Sequence, residues 1–179
     1  MASRPHYDAD TSDITTTPEA EGVKYALGPK AFNIVWGNDQ GFWRISTQSG
    51  DPTELVQVCW LEVTGSVSVE KGKRYQISFK LSMKSDAFGW ANSPVFLMAK
   101  VGKRGKYIWK RLSQLEQCPR EPMDVPDPNS NNSFQIDVPA DASDPRLYYG
   151  LYEVWSGKWK GGLRIHGATV KEIQAAATR

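Results

Sequence analysis

Hydrophobic and polar residues alternate most regularly in the segment RYQISFKLS, which begins at Arg74. Every second residue of the segment is apolar, namely Tyr75, Ile77, Phe79 and Leu81. The residues between them are polar, namely Gln76, Ser78, Lys80 and Ser82. Because successive side chains of a β-strand point to opposite faces of a sheet, this alternation predicts a strand with one buried face. The segment SFQIDV repeats the pattern, with Phe134, Ile136 and Val138 on the apolar side.

Four other segments have strand patterns of different kinds. LVQVCWLEVTGSVSV is apolar on both faces, as expected of a central sandwich strand, and Gly65 within it indicates a bulge. PVFLMAKV and KYIWKRL flank the turn GKRG and predict a hairpin. GLRIHGATVKEI alternates until Gly167, where the slip in the pattern predicts a second bulge.

The segments between these strands predict turns and loops. RLSQLEQ is suited to one or two turns of helix, and no longer window has helical periodicity. The segment from Cys118 to Ser133 contains four prolines and three asparagines, which predicts a long loop that rims a site. About nine short strands separated by Gly and Pro indicate an all-β fold, an antiparallel β-sandwich of the jelly-roll type.

The N-terminal segment differs from the rest in composition. The first 22 residues contain five acids and one base, so their net charge is −4, and they have almost no aliphatic side chains. High net charge with few apolar residues is typical of a solvated segment. We therefore predict an acidic N-terminal tail over residues 1–28 and a sandwich domain over residues 29–175.

Composition excludes several classes of function. The 179 residues carry a formal net charge of +2, which is too small to indicate binding to nucleic acid or to a membrane surface. No apolar stretch is long enough for a signal peptide or a membrane span, so we expect a cytosolic or nucleocytoplasmic protein. The two cysteines are too few for a disulfide framework. Cys59 is expected to be a buried thiol, and Cys118 is left open between a free thiol and an intermolecular bridge.

The residue types that catalysis and metal binding require are sparse. The chain has two histidines, His6 and His166, and the pattern around His166 places it on a solvent face. No nucleophile motif, phosphate-binding glycine loop or metal-ligand spacing occurs. We therefore predict no catalytic residue, no metal and no cofactor.

Seven tryptophans are many for a chain of this length, and they favour binding over catalysis. A sugar ring presents an apolar face of C–H groups and a fringe of hydroxyl groups. Aromatic side chains stack on the face, and carboxylates accept hydrogen bonds from the fringe. Trp60 and Trp90 are interpreted as core residues. Two segments combine four of the remaining tryptophans with polar groups and are candidate carbohydrate sites.

The first candidate segment is NIVWGNDQGFWRI. Trp36 and Trp43 lie seven residues apart, on either side of a run that cannot continue a strand, so both can converge on one pocket. Asn38 and Asp39 lie in this run and would add polar contacts. The alternative is that each tryptophan belongs to the core.

The second candidate segment is YYGLYEVWSGKWKGG, in which a glycine-containing turn separates two tryptophans. We expect Trp155 or Trp159 to form a second wall for a sugar. Glu153 would accept hydroxyl or acetamide hydrogens, and Lys160 would donate to an oxygen atom. Core packing is the alternative for each tryptophan. The alternative for Glu153 is an ion pair with a nearby base, Lys158, Lys160 or Arg164.

Four segments resemble, in order, the plant lectins called phloem protein two and the related Nictaba domain of the tobacco lectin. They are NIVWGNDQGFWRI, VCWLEVTGSV, YQISFKL and YGLYEVWSGKWKGGLRIHGATV. The resemblance covers roughly residues 32–173, and the last segment is its most specific part. It implies a metal-free β-sandwich lectin that binds oligomers of N-acetylglucosamine, including chitin fragments and the chitobiose core of N-glycans.

The resemblance also implies which residues bind sugar. The two tryptophans that the family spaces by seven match Trp36 and Trp43. The late acid of the family matches Glu153, and its final tryptophan matches Trp159, with Lys160 beside it. Family members act in the cytoplasm, nucleus or phloem sap, often as dimers, and are linked to defence and wound responses.

Two features of some relatives are reduced in this sequence. The F-box segment is absent, so a ubiquitin-ligase role is not supported. The lysine-rich nuclear import run is shortened to KVGKRGK, so nuclear entry is left open.

The resulting hypothesis is a non-enzymatic lectin for N-acetylglucosamine oligosaccharides or glycoproteins, in the cytoplasm or phloem sap, without a membrane partner and with a homodimer left open. One alternative is a jelly-roll glycoside hydrolase that uses Glu153 and another acid. The other alternative is an RNA-interacting module that uses the basic GKRGK hairpin with Trp109 behind it.

Overall fold

The computed structural model describes residues 4–174, which contain thirteen β-strands, two short 3-10 helices and no α-helix. The 3-10 helices are Thr11–Asp13 and Ser113–Gln117. The strands are β1 (Ile14–Glu19), β2 (Gly22–Leu27), β3 (Asn33–Ile34), β4 (Trp43–Arg44), β5 (Thr53–Leu55), β6 (Leu61–Ser68), β7 (Arg74–Phe88), β8 (Phe96–Val101), β9 (Ile108–Arg111), β10 (Met123–Val125), β11 (Phe134–Asp137), β12 (Arg146–Glu153) and β13 (Gly161–Ile173). The count exceeds the predicted nine because several strands have only two or three residues.

The strands form two antiparallel sheets that enclose one core. The larger sheet has eight strands, with the order β1-β2-β13-β5-β4, and β7 pairs with β13, β10 and β11. The smaller sheet has five strands in the order β3-β6-β12-β8-β9. Phe79 of β7 and Tyr149 of β12 meet across the core, with ring centroids 6.0 Å apart. The predicted antiparallel β-sandwich is therefore confirmed.

The alternating segments fold as their patterns predict. The apolar positions of the two alternating segments, Tyr75 to Leu81 and Phe134 to Val138, are all buried, and β8 pairs with β9 to form the predicted hairpin. The register of β13 shifts between Ile165 and Gly167, which confirms the second predicted bulge. The first predicted bulge is wrong, because Gly65 lies directly opposite Tyr149 in an unbroken ladder. A side chain at Gly65 would instead collide with the Tyr149 ring, whose buried hydroxyl has no hydrogen-bond partner among residues 4–174.

The N-terminal segment is not a tail over residues 14–27, contrary to the prediction. β1 and β2 form a hairpin, and β2 pairs with β13 of the larger sheet. The threonines of β1 favour strand over coil, and the acids have structural partners. Asp13 Oδ2 accepts a hydrogen bond from the Lys30 N–H at 2.9 Å, and Glu19 lies 3.5 Å from the Lys171 ammonium. Residues 1–3 of the predicted tail and residue 175 of the predicted domain lie outside the described residues.

The loops contain further differences from the predicted pattern. The predicted long loop from Cys118 to Ser133 contains the strand β10, which pairs with β7. The helical turn predicted in RLSQLEQ is confirmed as the second 3-10 helix. Cys59 and Cys118 are both free, half-buried thiols. The predicted solvent-facing His166 is half-buried, and its Nε2 lies 2.7 Å from Ser82 Oγ.

Candidate functional site

Three aromatic rings form a continuous surface at the end of the sandwich where β12 ends. The centroid of the Phe42 ring lies 6.0 Å from that of Trp36 and 6.2 Å from that of Trp159. Trp36 is 41% exposed and Trp159 is 50% exposed, whereas Phe42 is half-buried between them. We call these three residues the loop-end surface. It brings together one tryptophan from each candidate segment, Trp36 and Trp159, with Phe42 between them.

The N-terminal segment fixes the position of Trp36. The backbone of Trp36 has a φ of 64°, in the left-handed region that non-glycine residues rarely adopt. Its N–H donates to His6 Nδ1 at 2.9 Å, and the two rings lie 5.4 Å apart. The strained backbone and this hydrogen bond hold the indole in one orientation, which reduces the entropy that a ligand would have to remove.

Asn38 and Asp39 shape the loop that follows Trp36. The Asn38 amide donates to the carbonyl oxygens of Arg4 and His6, at 2.9 and 2.8 Å. Asp39 Oδ1 accepts from the Gly41 N–H at 2.8 Å, which closes a local turn. Both side chains are exposed, and Asn38 also lines an open cavity of about 1270 Å³ whose lining includes none of the three rings of the loop-end surface. Polar groups therefore lie beside the aromatic surface.

Trp43 does not contribute to this surface, contrary to the prediction. It is only 1% exposed and lies in the core, where it pairs with Leu55 across β4 and β5. The loop between Trp36 and Trp43 turns the second indole inward, and its Nε1 has no hydrogen-bond partner in the structure. A ligand cannot stack on this ring.

Glu153 and Lys160 are fully buried and do not face a ligand, contrary to the prediction. Lys160 Nζ lies 2.5 Å from Glu153 Oε2, which is the ion pair that the sequence left open as an alternative. Ser156 donates to the Glu153 carboxylate through both its N–H and its hydroxyl, at 3.0 and 2.8 Å. Burial alone would raise the pKa of Glu153, but the hydrogen bonds from Lys160 and Ser156 hold this pKa below its ordinary value.

This buried pair fixes the loop over residues 154–159. Lys160 Nζ also donates to the carbonyl oxygen of Lys158 at 2.9 Å, so the two ends of the loop are tied to one charged centre. Gly157 supplies the turn with a φ of 67° and has open space around it. The pair therefore positions the tryptophans of the loop rather than contacting a sugar.

The two tryptophans of the loop belong to different surfaces. Trp159 joins Phe42, whereas Trp155 packs edge-to-face on Phe96 at 5.3 Å. Phe96 in turn contacts Trp109, also at 5.3 Å. Trp155 and Trp109 are 57% and 64% exposed. Trp155 and Trp159, the two candidates for the second wall of the sugar site, therefore lie in two different aromatic clusters, one on each side of the loop.

Sequence reasoning missed Phe42 and misplaced Trp60. Phe42 lies in the turn that precedes β4, next to Trp43, so no strand alternation marks it as a surface ring in the sequence. Trp60 was predicted to be core but is exposed, and its Nε1 donates to Glu62 at 3.3 Å. Trp90 is buried, as predicted, and its Nε1 donates to the Gly161 carbonyl at 2.9 Å.

Metal binding and membrane crossing each need a particular arrangement of residues. Within residues 4–174, no three His, Cys, Asp or Glu side chains gather in a way that could hold a metal ion. The same residues include no helix with the length and apolar character needed to cross a membrane.

The fold and the site together define a β-sandwich protein whose loops present exposed aromatic rings around a buried ion pair. The chain belongs to the Phloem protein 2 family, because the sequence model of that family matches residues 22–172. An Arabidopsis thaliana relative, Protein PHLOEM PROTEIN 2-LIKE A9, is 47% identical over 154 residues, which cover 81% of this chain and 85% of the relative.

More distant relatives are similar over part of their length. Protein PHLOEM PROTEIN 2-LIKE A1 of Arabidopsis thaliana is 27% identical, and the match covers 84% of this chain and 62% of the relative. An F-box protein of the same plant is 26% identical, and this chain spans about half of it, 49%.

Among solved structures, one described as "CBM4 structure and function" has a TM-score of 0.47 and 14% identity, with 93% of this chain and 94% of that chain covered. A "xylan-binding module CBM15" has a TM-score of 0.41 and 11% identity, with 96% and 91% covered. At these values nothing about ligands follows from the likeness.

Proposed function

We propose that the protein is a lectin that binds oligomers of N-acetylglucosamine at the loop-end surface. The observation that carries this proposal is the cluster of Trp36, Phe42 and Trp159, because two exposed indoles pack against the same half-buried ring. Exposed aromatic rings that are already oriented suit the apolar faces of successive sugar rings. The membership in the Phloem protein 2 family supports the same class of function.

The roles of the residues differ from those expected at first. Trp36 and Trp159 would stack on sugar rings, and Phe42 would support both indoles. Asp39 has a second carboxylate oxygen beyond the one bonded to Gly41, and it is exposed beside the aromatic cluster, so it would accept hydroxyl hydrogens. Glu153 and Lys160 act indirectly, as the buried support of the loop.

A hydrolytic function is not favoured, because Glu153 lacks the properties of a general acid. A glycosidase acid needs a raised pKa and access to the glycosidic oxygen. The Glu153 carboxylate is buried, paired with Lys160 and bonded to Ser156, and its pKa is lowered. We therefore propose binding without catalysis.

The proposal extends to the setting of the protein. Following the family resemblance, we propose glycoproteins with N-acetylglucosamine cores as partners, a cytoplasmic or phloem-sap location with entry into the nucleus left open, and a part in plant defence. A homodimer would raise a weak affinity per site through avidity. Sedimentation of the purified protein tests the homodimer, and imaging of a fluorescent fusion in plant cells tests the location.

Calorimetric titration with chitotriose tests the function directly. We expect weak binding, accompanied by a change in tryptophan fluorescence, because Trp36 and Trp159 lose exposure to water. Trp159→Ala should weaken binding by roughly tenfold or more, as expected for loss of a stacked aromatic ring. Trp109→Ala is the matched control, an exposed tryptophan outside the loop-end surface, and should leave chitotriose binding unchanged. No heat and no fluorescence change at millimolar chitotriose would disprove the proposal.

A further inference from the structure

A second concave surface lies on the outward face of the five-stranded sheet. It is a groove of about 470 Å³, a size within the range of small-molecule sites. We call it the sheet-face groove, and the residues that matter for its chemistry are Thr64, Ser66, Lys100, Tyr107, Tyr148 and Tyr152. None of them belongs to the loop-end surface.

Strand register explains how the groove is formed. Tyr148 and Tyr152 are outward-facing residues of β12, and Gly150 lies between them on the same face. Gly150 has no side chain to fill the space, and a Cβ at this position would collide with the Val63 carbonyl of β6. The floor between the two tyrosines therefore stays low. Tyr107 closes one side, with its ring centroid 6.3 Å from that of Tyr152.

Lys100 provides a positive charge inside this aromatic enclosure. Its ammonium lies 4.7 Å from the centroid of Tyr107 and 5.8 Å from that of Tyr148, and it donates to the Lys103 carbonyl at 2.8 Å. Across residues 4–174, no carboxylate reaches it within salt-bridge distance. The rings stabilise the cation but leave its charge uncompensated.

The charges around the groove favour an anion at one place and not along its length. Lys100 and Lys103 are its charged lining residues, and both are cationic. Two acidic residues lie next to the groove. Asp144 accepts a hydrogen bond from the Lys103 N–H at 3.2 Å, and Glu62 accepts one from the Trp60 indole N–H. A ligand with one or two negative charges fits this distribution of charges better than a single-stranded nucleic acid, which carries a phosphate at every nucleotide.

We propose that the sheet-face groove binds an acidic oligosaccharide, with a uronate carboxylate paired to Lys100 and pyranose rings against Tyr107, Tyr148 and Tyr152. The hydroxyls of Thr64 and Ser66 and the phenol groups supply partners for sugar hydroxyls. Burial raises the pKa of Tyr152, so its phenol stays a neutral hydrogen-bond donor throughout the physiological range. This site does not depend on the proposed function of the loop-end surface, because the two share no residue.

Titration with trigalacturonate and with its methyl ester tests the proposal, because the ester keeps the sugar rings and removes the charges. We expect the free acid to bind and the ester to bind roughly tenfold more weakly, as loss of a charge-assisted hydrogen bond predicts. Lys100→Gln should remove this preference, and Tyr107→Ala should weaken both ligands. Lys71→Gln, an exposed lysine in another turn, is the matched control and should change neither.

Amide NMR shifts locate the binding. Trigalacturonate should shift the amides of Thr64, Ser66 and Tyr107, and Trp159→Ala should leave its affinity unchanged. Equal affinity for acid and ester, no binding of either, or shifts centred on Trp36 and Trp159 would each overturn the proposal. So would binding of a decauridylate RNA at physiological salt in the absence of trigalacturonate binding. Absence of chitotriose binding would contradict the proposal for the loop-end surface only. It would leave the proposal for the sheet-face groove unaffected.

Discussion

Trp43 is the residue at which the sequence pattern and the structure disagree most. Its spacing from Trp36 suggested a shared pocket, but the indole is buried in the core. We expect Trp43→Ala to lower the free energy of unfolding by about 3–5 kcal/mol, the usual range for a large aromatic ring removed from a core. Urea denaturation followed by circular dichroism measures this. Trp36→Ala is the control and should change stability little, because Trp36 is exposed.

The buried pair of Glu153 and Lys160 gives a second prediction. Glu153→Gln leaves the Lys160 ammonium buried without a counter-charge, so we expect a loss of about 3–5 kcal/mol in unfolding free energy. The double variant Glu153→Leu with Lys160→Met should regain most of this, since no charge is then buried. A double variant as unstable as the single one would show that the pair contributes more than charge compensation.

The lowered pKa of Glu153 has a consequence for stability at acid pH. In the unfolded chain the carboxyl has its ordinary pKa of 4.5, whereas in the folded protein the pKa is lower. The unfolded state therefore takes up the proton first, and the contribution of Glu153 is present above pH 4.5 and is lost as the pH falls through the folded pKa. Unfolding midpoints measured from pH 6 downwards should fall less steeply for Glu153→Gln than for the unchanged protein.

The hairpin of β1 and β2 is an integral part of the larger sheet. Deleting residues 1–28 would expose the edge of β13 and remove the ladder that β2 forms with it. We expect a drop in Tm of at least about 5 °C, since each kcal/mol corresponds to roughly 2–4 °C in a chain of this size, together with aggregation. Deleting residues 1–10 is the control and should spare the sheet while releasing Trp36 from His6. Unchanged stability of the longer deletion would restore the tail interpretation.

The sequence predicts strands well where one face is buried and poorly where the strand has no apolar face. β7 and β11 alternate because a core lies under one face, and their alternation is visible without the fold. β1 has no apolar face, so its threonines and acids resemble coil until their partners on distant strands are known. Gly65 resembled a bulge because the sequence cannot show that Tyr149 fills the space above it.

The candidate site was predictable in its location but not in its roles. The two segments that meet at Trp36 and Trp159 were identified from residue type. The sequence could not show which side of each loop faces solvent, and this decides between Trp43 and Phe42 as surface rings. It also left open whether Glu153 pairs with Lys160 or with a ligand, because that depends on how the loop over residues 154–159 closes.

The protein as a whole presents two chemically different surfaces on one rigid sandwich. If both proposals hold, a single chain can connect two glycans. Labelled polygalacturonate should then be retained on chitin beads only when the protein is present. Trp159→Ala should lower retention by weakening the contact with chitin, and Lys100→Gln should lower it by weakening the contact with the acidic polymer. Retention that is undiminished by Lys100→Gln would argue against a bridge through the sheet-face groove.

The loop over residues 154–159 connects the environments of these two surfaces. One end of the loop carries Trp155, which packs on Phe96 next to the sheet face, and the other carries Trp159 of the loop-end surface. Both ends are tied to the same buried carboxylate and ammonium. The same short segment therefore carries a tryptophan of each aromatic cluster. If chitotriose changes the affinity for an acidic sugar by some factor, thermodynamic reciprocity requires that the acidic sugar changes the affinity for chitotriose by the same factor.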